Sequence, residues 1–333
     1  MHTRILDSDA VAEAADIAEI TSAVEDAFGA YQRNDVLMPA KSYIDLPQYN
    51  GDFRSMPAYV EAESWDAASI KWVNVHPDNP EKFDLPTVMG TVIYSDPETA
   101  FPLALMDGTE LTLMRTGAAA GVATDYLAVE DARTLGIIGA GVQAYSQLAA
   151  IASVRPIEEV VIVDVDDKRV NAFIEAHQDE FTVREGSPAD AASCDVLSTV
   201  TPVEDPIVKR EMVGEHTHIN AMGADAEGKQ EHEVATLKDA KLVIDDYEQC
   251  THSGEINTGW HTGELTDSDI DAEIGEIVTG EKTGREEHDT ITVFDSTGLA
   301  IQDVAAAHVV YEAAEEQDTG MEFELINPER TQV

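Results

Sequence analysis

The stretch TLGIIGAGVQAY at 134–145 constrains the architecture of this chain more than any other segment. It reads as a short buried strand, a tight turn and the first turn of a helix. Gly139 and Gly141, with Ala144 in the third small position, give the spacing G-x-G-x-x-A. The first glycine permits the turn, the second lets backbone approach a pyrophosphate, and the small third residue allows close helix–strand packing. The helix start adds unpaired N–H groups suited to phosphate. A second apolar run, VVIVDVDD at 160–167, carries Asp164, the acidic partner expected for an adenosine ribose. A purely structural glycine turn is the plainer alternative, but the strand–turn–helix context favours a nicotinamide dinucleotide. A long segment precedes the motif, so substrate groups are expected from an N-terminal domain.

From Thr134 the pattern alternates strand and helix, with strands predicted at 134–138, 160–165, 195–200, 216–221, 241–245 and 290–294. That alternation specifies a parallel, doubly wound sheet. Upstream, helical spacing over 8–30, capped by Ser8 or Asp9, is followed by strand-like runs at 41–46, 69–75, 87–95 and 102–107. An Ala-rich helix from Thr116 leads into the glycine motif, and 299–316 reads as a final helix. The polar stretch 263–289 predicts a surface helix with loops. The closing FELINPERTQV is too short for a domain and is expected to pack back on the N-terminal part.

Apolar residues make up 43% of the 333, so the chain can bury a core, yet 66 acidic residues face 20 basic ones. The formal charge of −46 is spread along the whole length rather than gathered in a tail. Such a surface suits a salt-saturated cytoplasm, where dense carboxylates stay hydrated. It disfavours nucleic acid, whose phosphates need the opposite sign. The N-terminus lacks the basic and apolar regions of a signal peptide, and no apolar run is long enough to span a bilayer. Cys194 and Cys250 show no metal spacing, so a reducing compartment without structural zinc is expected.

With nine lysines and eleven arginines in the chain, a cation inside an apolar segment is informative. Lys41, Lys71 in SIKWVNV and Arg115 in LTLMRTGAAAG form a candidate anion site. Each alone reads equally as a strand-edge or salt-bridged residue. Together they suit a substrate carboxylate, which the planar arginine fork grips through both oxygens. A lysine beside other cations is also a base near neutral pH. In INAMGADAEGKQE at 219–231, the strand should end at the cofactor crevice and present Gly223, Ala224 and Asp225. The plainer role for Asp225 is a helix or turn cap. STVTP at 198–202 occupies the equivalent loop one strand earlier, and Ser296 and Thr297 lie at the exit from the parallel sheet or cap the final helix.

Seven ordered blocks, MPAK (38–41), KWVNVHPDNP (71–80), LPTVMG (85–90), LTLMRTGAAAG (111–121), GIIGAGVQA (136–144), NAMGADAEGKQE (220–231) and FDSTGLAIQD (294–303), resemble the ornithine cyclodeaminase/mu-crystallin family, most of all its archaeal alanine dehydrogenase branch. The resemblance implies an α/β chain in which a Rossmann domain, 123–297, is inserted into an α+β substrate-binding and dimerisation domain, 1–122 plus 298–333, of a homodimer. It implies that Lys41, Lys71 and Arg115 meet an amino-acid carboxylate, with Lys71 and Asp225 catalytic. It further implies that Thr87, Arg115, Gly139, Gly141, Val142, Gln143, Asp164, Thr201, Met222, Gly223, Ala224, Asp225, Lys229, Ser296 and Thr297 line the cofactor. Asp164 followed by Val165 favours NAD over NADP, because a 2′-phosphate would meet a carboxylate. Arg54 stands where cyclodeaminases carry a glutamate for the distal end of ornithine, and would repel a δ-ammonium while accepting a carboxylate. The expected reaction is NAD-dependent, reversible oxidative deamination of L-alanine or a similar small amino acid. Ornithine cyclodeamination, ketimine reduction and non-catalytic NAD(P)H-dependent binding of the mu-crystallin type are the alternatives.

Overall fold

A fully parallel sheet forms the middle of the chain, and a mixed sheet is built from the segments on either side of it. The computed structural model describes residues 2–327. Two compact units divide the chain, one drawn from Met1–Arg115 and Ala300–Val333, the other from Thr116–Leu299.

The mixed sheet of the first unit runs Met321–Phe323, Thr3–Leu6, Pro102–Asp107, Val88–Ser95, Asp66–Val75, Gly51–Glu61 and Val36–Leu37, with Ser42–Leu46 also paired to Gly51–Glu61. All pairs are antiparallel except Thr3–Leu6 with Pro102–Asp107. Side chains alternate between its faces. On one face Met56, Lys71, Val92 and Met106 form a continuous cross-strand row, and all four are buried. On the other, Phe53 stacks on Trp72 at 5.2 Å, and Ile44, Trp72 and Ile93 are exposed. The last helix, Ala300–Gln317, packs on the long strands and on helix Ile17–Gln32. Its residues Ala300 to Ala307 are all buried, as expected of a helix enclosed on every side.

The helix expected over 8–30 is two helices, Ser8–Ala14 and Ile17–Gln32. Asp7, not Ser8 or Asp9, caps the first by accepting from Ala10 N. Asp16 restarts the chain by accepting from the amides of Ala18 and Glu19. The helix expected from Thr116 begins earlier, as Gly108–Leu127. Of the closing segment, Phe323 lies in a strand that pairs with Thr3–Leu6, as expected of a tail folding back, while 328–333 lie outside the described residues.

The second unit carries the parallel sheet, in the order Thr182–Glu185, Glu159–Val163, Thr134–Ile138, Val196–Thr199, His218–Ala221, Thr292–Asp295, Lys241–Ile244 and Ala272–Glu273. From Thr134–Ile138 the chain winds outward through two strands, then returns to the opposite side at Val196–Thr199. In sheets of this kind ligands bind beyond the carboxyl ends of the strands at such a switch point. Central strands buried on both faces explain the continuous apolar runs. The fold is therefore α/β, with a Rossmann sheet inserted into an α+β unit. In 263–289 the sole α-helix is the short Ile274–Val278.

Candidate active site

Lys71 is 1% exposed in the middle of an apolar cross-strand row. A charged ammonium there is strongly disfavoured unless paired. Its Nζ donates to Asp303 Oδ1 at 2.7 Å and to Thr112 Oγ1 at 3.1 Å. Burial is the largest influence on this amine and lowers its pKa to about 7. Asp303 opposes that fall, while Arg115 and Lys41 add to it.

Arg115, on helix Gly108–Leu127, completes the cluster. Its Nε lies 3.3 Å from Asp303 Oδ1, and its Nη1 donates to Gln302 Oε1 at 2.7 Å. Lys41 adds a third cation near enough to act on Lys71. Lys71 and Arg115 thus share one carboxylate, with Lys41 near enough to act on Lys71, in a chain of net charge −46. Among the described residues Gln302 Nε2 and Asp303 Oδ2 are buried without hydrogen-bond partners, and Arg115 Nε meets Asp303 as an ion pair only. The Gln302 amide suits an anion, whereas Asp303 Oδ2 calls for a hydrogen-bond donor.

Arg54 shares the sheet face of Lys71 but is held by Asp52, Nε to Oδ1 at 2.9 Å and Nη2 to Oδ2 at 3.1 Å, and lies over the Tyr43 ring. Its charge is balanced locally, which weakens the repulsion of a δ-ammonium inferred from sequence. Thr87 is half-buried, and its carbonyl accepts from His76 N. Sequence reasoning overlooked Asp303, Gln302 and Thr112. The signal was available, since Gln302 and Asp303 interrupt an otherwise apolar helix start, LAIQDVAAA.

In the second unit the glycine motif takes the expected form. Gly139 sits at φ +107°, and a Cβ there would approach Val200 O to 2.9 Å. Gly141 has an ordinary extended backbone, and a Cβ there meets no protein atom within 4 Å. Neither strain nor internal packing requires this glycine. The open space at Gly141, at the start of helix Val142–Val154, leaves room for the kind of close approach that a G-x-G-x-x-A turn offers a pyrophosphate. Ala144 is fully buried, Val142 is exposed, and Gln143 accepts from Ser146 Oγ. Asp164 accepts from Ala140 N at 2.7 Å, which places it beside the turn.

The remaining sequence-derived positions lie on loops tied down by buried carboxylates. Glu231 accepts from Thr201 N and Oγ1 and from Gly223 N, joining two successive loops. Asp245 accepts from Ser296 Oγ and from the amides of Thr297 and Gly298, so Ser296 and Thr297 are bound to that carboxylate. Glu255 accepts from the amides of Glu231 and His232, and Asp295 from those of Glu255 and Ile256. Burial raises Glu231 and Glu255, and pushes Asp295 up to about 7. Met222 N donates to Thr199 O, and Ala224 is buried. Asp225 forms an ion pair with Lys229 at 2.5 Å. The supporting carboxylates escaped sequence reading, although Glu231 closes the block NAMGADAEGKQE.

A glycine-rich crossing at the switch point of a parallel sheet defines a dinucleotide-binding α/β chain. The ornithine cyclodeaminase/mu-crystallin family model matches residues 1–318, and the chain belongs to that family. It is 47% identical to an alanine dehydrogenase of Archaeoglobus fulgidus over 326 residues, 98% of this chain and 99% of the relative. A Delta(1)-pyrroline-2-carboxylate reductase of Bacillus cereus is 36% identical over 272 residues, 79% of this chain and 82% of that protein. Among solved structures, an archaeal alanine dehydrogenase dimer with bound NAD superposes with a TM-score of 0.92 at 46% identity, covering 98% of this chain and all of its own.

Proposed function

We propose that this chain catalyses NAD-dependent, reversible oxidative deamination of L-alanine or a similarly small amino acid. Amino acid, NAD and water give a 2-oxo acid, ammonia, NADH and a proton. The observation that carries this reading is the buried Lys71 amine, lowered to about 7 and set beside Arg115. In this reading Arg115 and Lys41 hold the carboxylate, and Gln302 offers its unpartnered amide hydrogens to it. Neutral Lys71 takes a proton from the substrate ammonium. Asp225, paired with Lys229, is the second catalytic group and positions the attacking water.

Gly139, Gly141, Val142, Gln143 and Asp164 would hold the dinucleotide, with Thr87, Arg115, Thr201, Met222, Gly223, Ala224, Lys229, Ser296 and Thr297 lining it. NAD when bound supplies the two-electron oxidant for the amino-acid Cα. Asp164 beside the glycine turn supports NAD over NADP. The likeness to a dimeric, NAD-bound relative supports a homodimer, and the apolar sheet face of Ile44, Phe53, Trp72 and Ile93 supplies a surface for it. No helix among the described residues is long and apolar enough to cross a membrane. A cytoplasm of high salt is the proposed setting, supported by the charge of −46.

In molar salt, alanine with NAD should give a steady rise in NADH absorbance, with pyruvate and ammonia formed in equal amounts. Proline from ornithine without accumulation of NADH would point to cyclodeamination instead. A second reading, reduction of a cyclic imine, is favoured by the pyrroline-carboxylate reductase relative. It would show as NADH consumption with Δ1-pyrroline-2-carboxylate and no turnover of alanine.

A further inference from the structure

Lys71 is held by two acceptors, and hydrogen counting shows what each one does. Thr112 donates its own hydroxyl hydrogen to Gly108 O at 2.6 Å, so toward Lys71 its oxygen only accepts. Asp303, as a carboxylate, likewise only accepts. A neutral lysine amine has two hydrogens and one lone pair. With both hydrogens donated to Thr112 and Asp303, the lone pair must point away from both.

We propose that Thr112 and Asp303 are positioning residues that take the two hydrogens of neutral Lys71 and so fix where its lone pair points. The inference rests on the reading of Lys71 as a base, and adds what aims that base. Asp303 has a second task. Its Oδ1 is shared by Lys71 and Arg115, so one buried carboxylate sets the geometry of both the proton acceptor and the carboxylate-binding arginine. The charged groups acting on the amine are Asp303 from helix Ala300–Gln317, Arg115 from helix Gly108–Leu127, and Lys41. Only the first favours the ammonium. Asp303 therefore also keeps the amine from losing its proton at too low a pH.

Two measurements test this. Lysine labelled with 15N at Nζ, with Lys71 assigned by its loss in Lys71→Arg, reports the titration without any substrate. In Asp303→Asn the Lys71 midpoint should fall by about one unit or more, since an opposite charge at contact distance is removed. For turnover, near-isosteric Thr112→Val should lower kcat about tenfold or more, with the KM for alanine within about twofold, because orientation and not binding is lost. Thr112→Ser keeps the acceptor and should restore most of kcat. Superimposable Lys71 titrations in the wild type and Asp303→Asn would overturn the proposal, as would wild-type kcat in Thr112→Val. A shifted titration shows that Asp303 acts on the amine even if alanine proves not to be the substrate, and a lowered kcat in Thr112→Val supports the aiming of its lone pair. An unshifted titration counts against the proposal whatever the substrate.

Discussion

Replacing Lys71 by alanine should lower alanine oxidation by about a thousandfold or more, while NADH binds with nearly its wild-type affinity. General acid–base groups contribute roughly 10² to 10⁴ to rate, and Lys71 is the proposed proton acceptor. The residue is fully enclosed, so the variant loses packing as well as chemistry. Lys71→Met separates the two effects, because methionine fills much of the same volume without an amine. Both variants should lose turnover, and the methionine form should be the more stable. Asp303 keeps Arg115 as a partner in either variant, which limits the cost of the lost cation. Full activity in Lys71→Ala would remove the proposed proton transfer altogether.

The second large effect concerns the glycine turn, where two neighbouring glycines should behave differently. Gly141→Val should cost no more than about 1 kcal/mol of stability, since the backbone there suits any residue and the added atoms enter open space. Its NAD affinity should nevertheless drop about a hundredfold, ~2.7 kcal/mol, because the side chain stands where the pyrophosphate must approach. Gly139→Val should instead destabilise the fold itself. A φ of +107° excludes a β-branched residue, and Val200 O lies 2.9 Å from the new Cβ. Calorimetry of the free proteins, followed by NAD titration of each, checks both. Tight NAD binding by Gly141→Val would show that the turn serves packing rather than a ligand.

What could be read ahead of the structure was what is encoded locally. Strand, turn and helix at 134–154 lie within one short stretch, and buried parallel strands announce themselves as apolar runs. The long strand Gly51–Glu61 escaped because Gly51, Asp52, Arg54 and Pro57 argue against a strand. It forms because Pro57 falls between two edge partners, Ser42–Leu46 beginning opposite Ser55 and Val36–Leu37 ending opposite Tyr59. No ladder bond is required of it on that edge. Asp16 was visible but read as part of one long helix, because the apolar spacing continues through the break that it caps. The cations of the site were visible from their scarcity. Their shared counter-ion was not, because Asp303 lies far from Lys71 in sequence and reaches it only through tertiary packing. The same holds for Glu231 and Asp245, whose value lies in the backbone amides they collect from other loops.

The measurement closest to the centre of the account is the pH dependence of kcat/KM for alanine with saturating NAD in molar salt. Burial holds the Lys71 ammonium at about 7 instead of 10.5, so the base is neutral above that point and protonated below it. The rate constant should climb roughly tenfold per unit below pH 7 and level off above it, and the rise should be absent from any residual activity of Lys71→Met. A profile that is flat from pH 5 to 8, or one that persists unchanged in Lys71→Met, would contradict a buried lysine as the group that accepts the substrate proton.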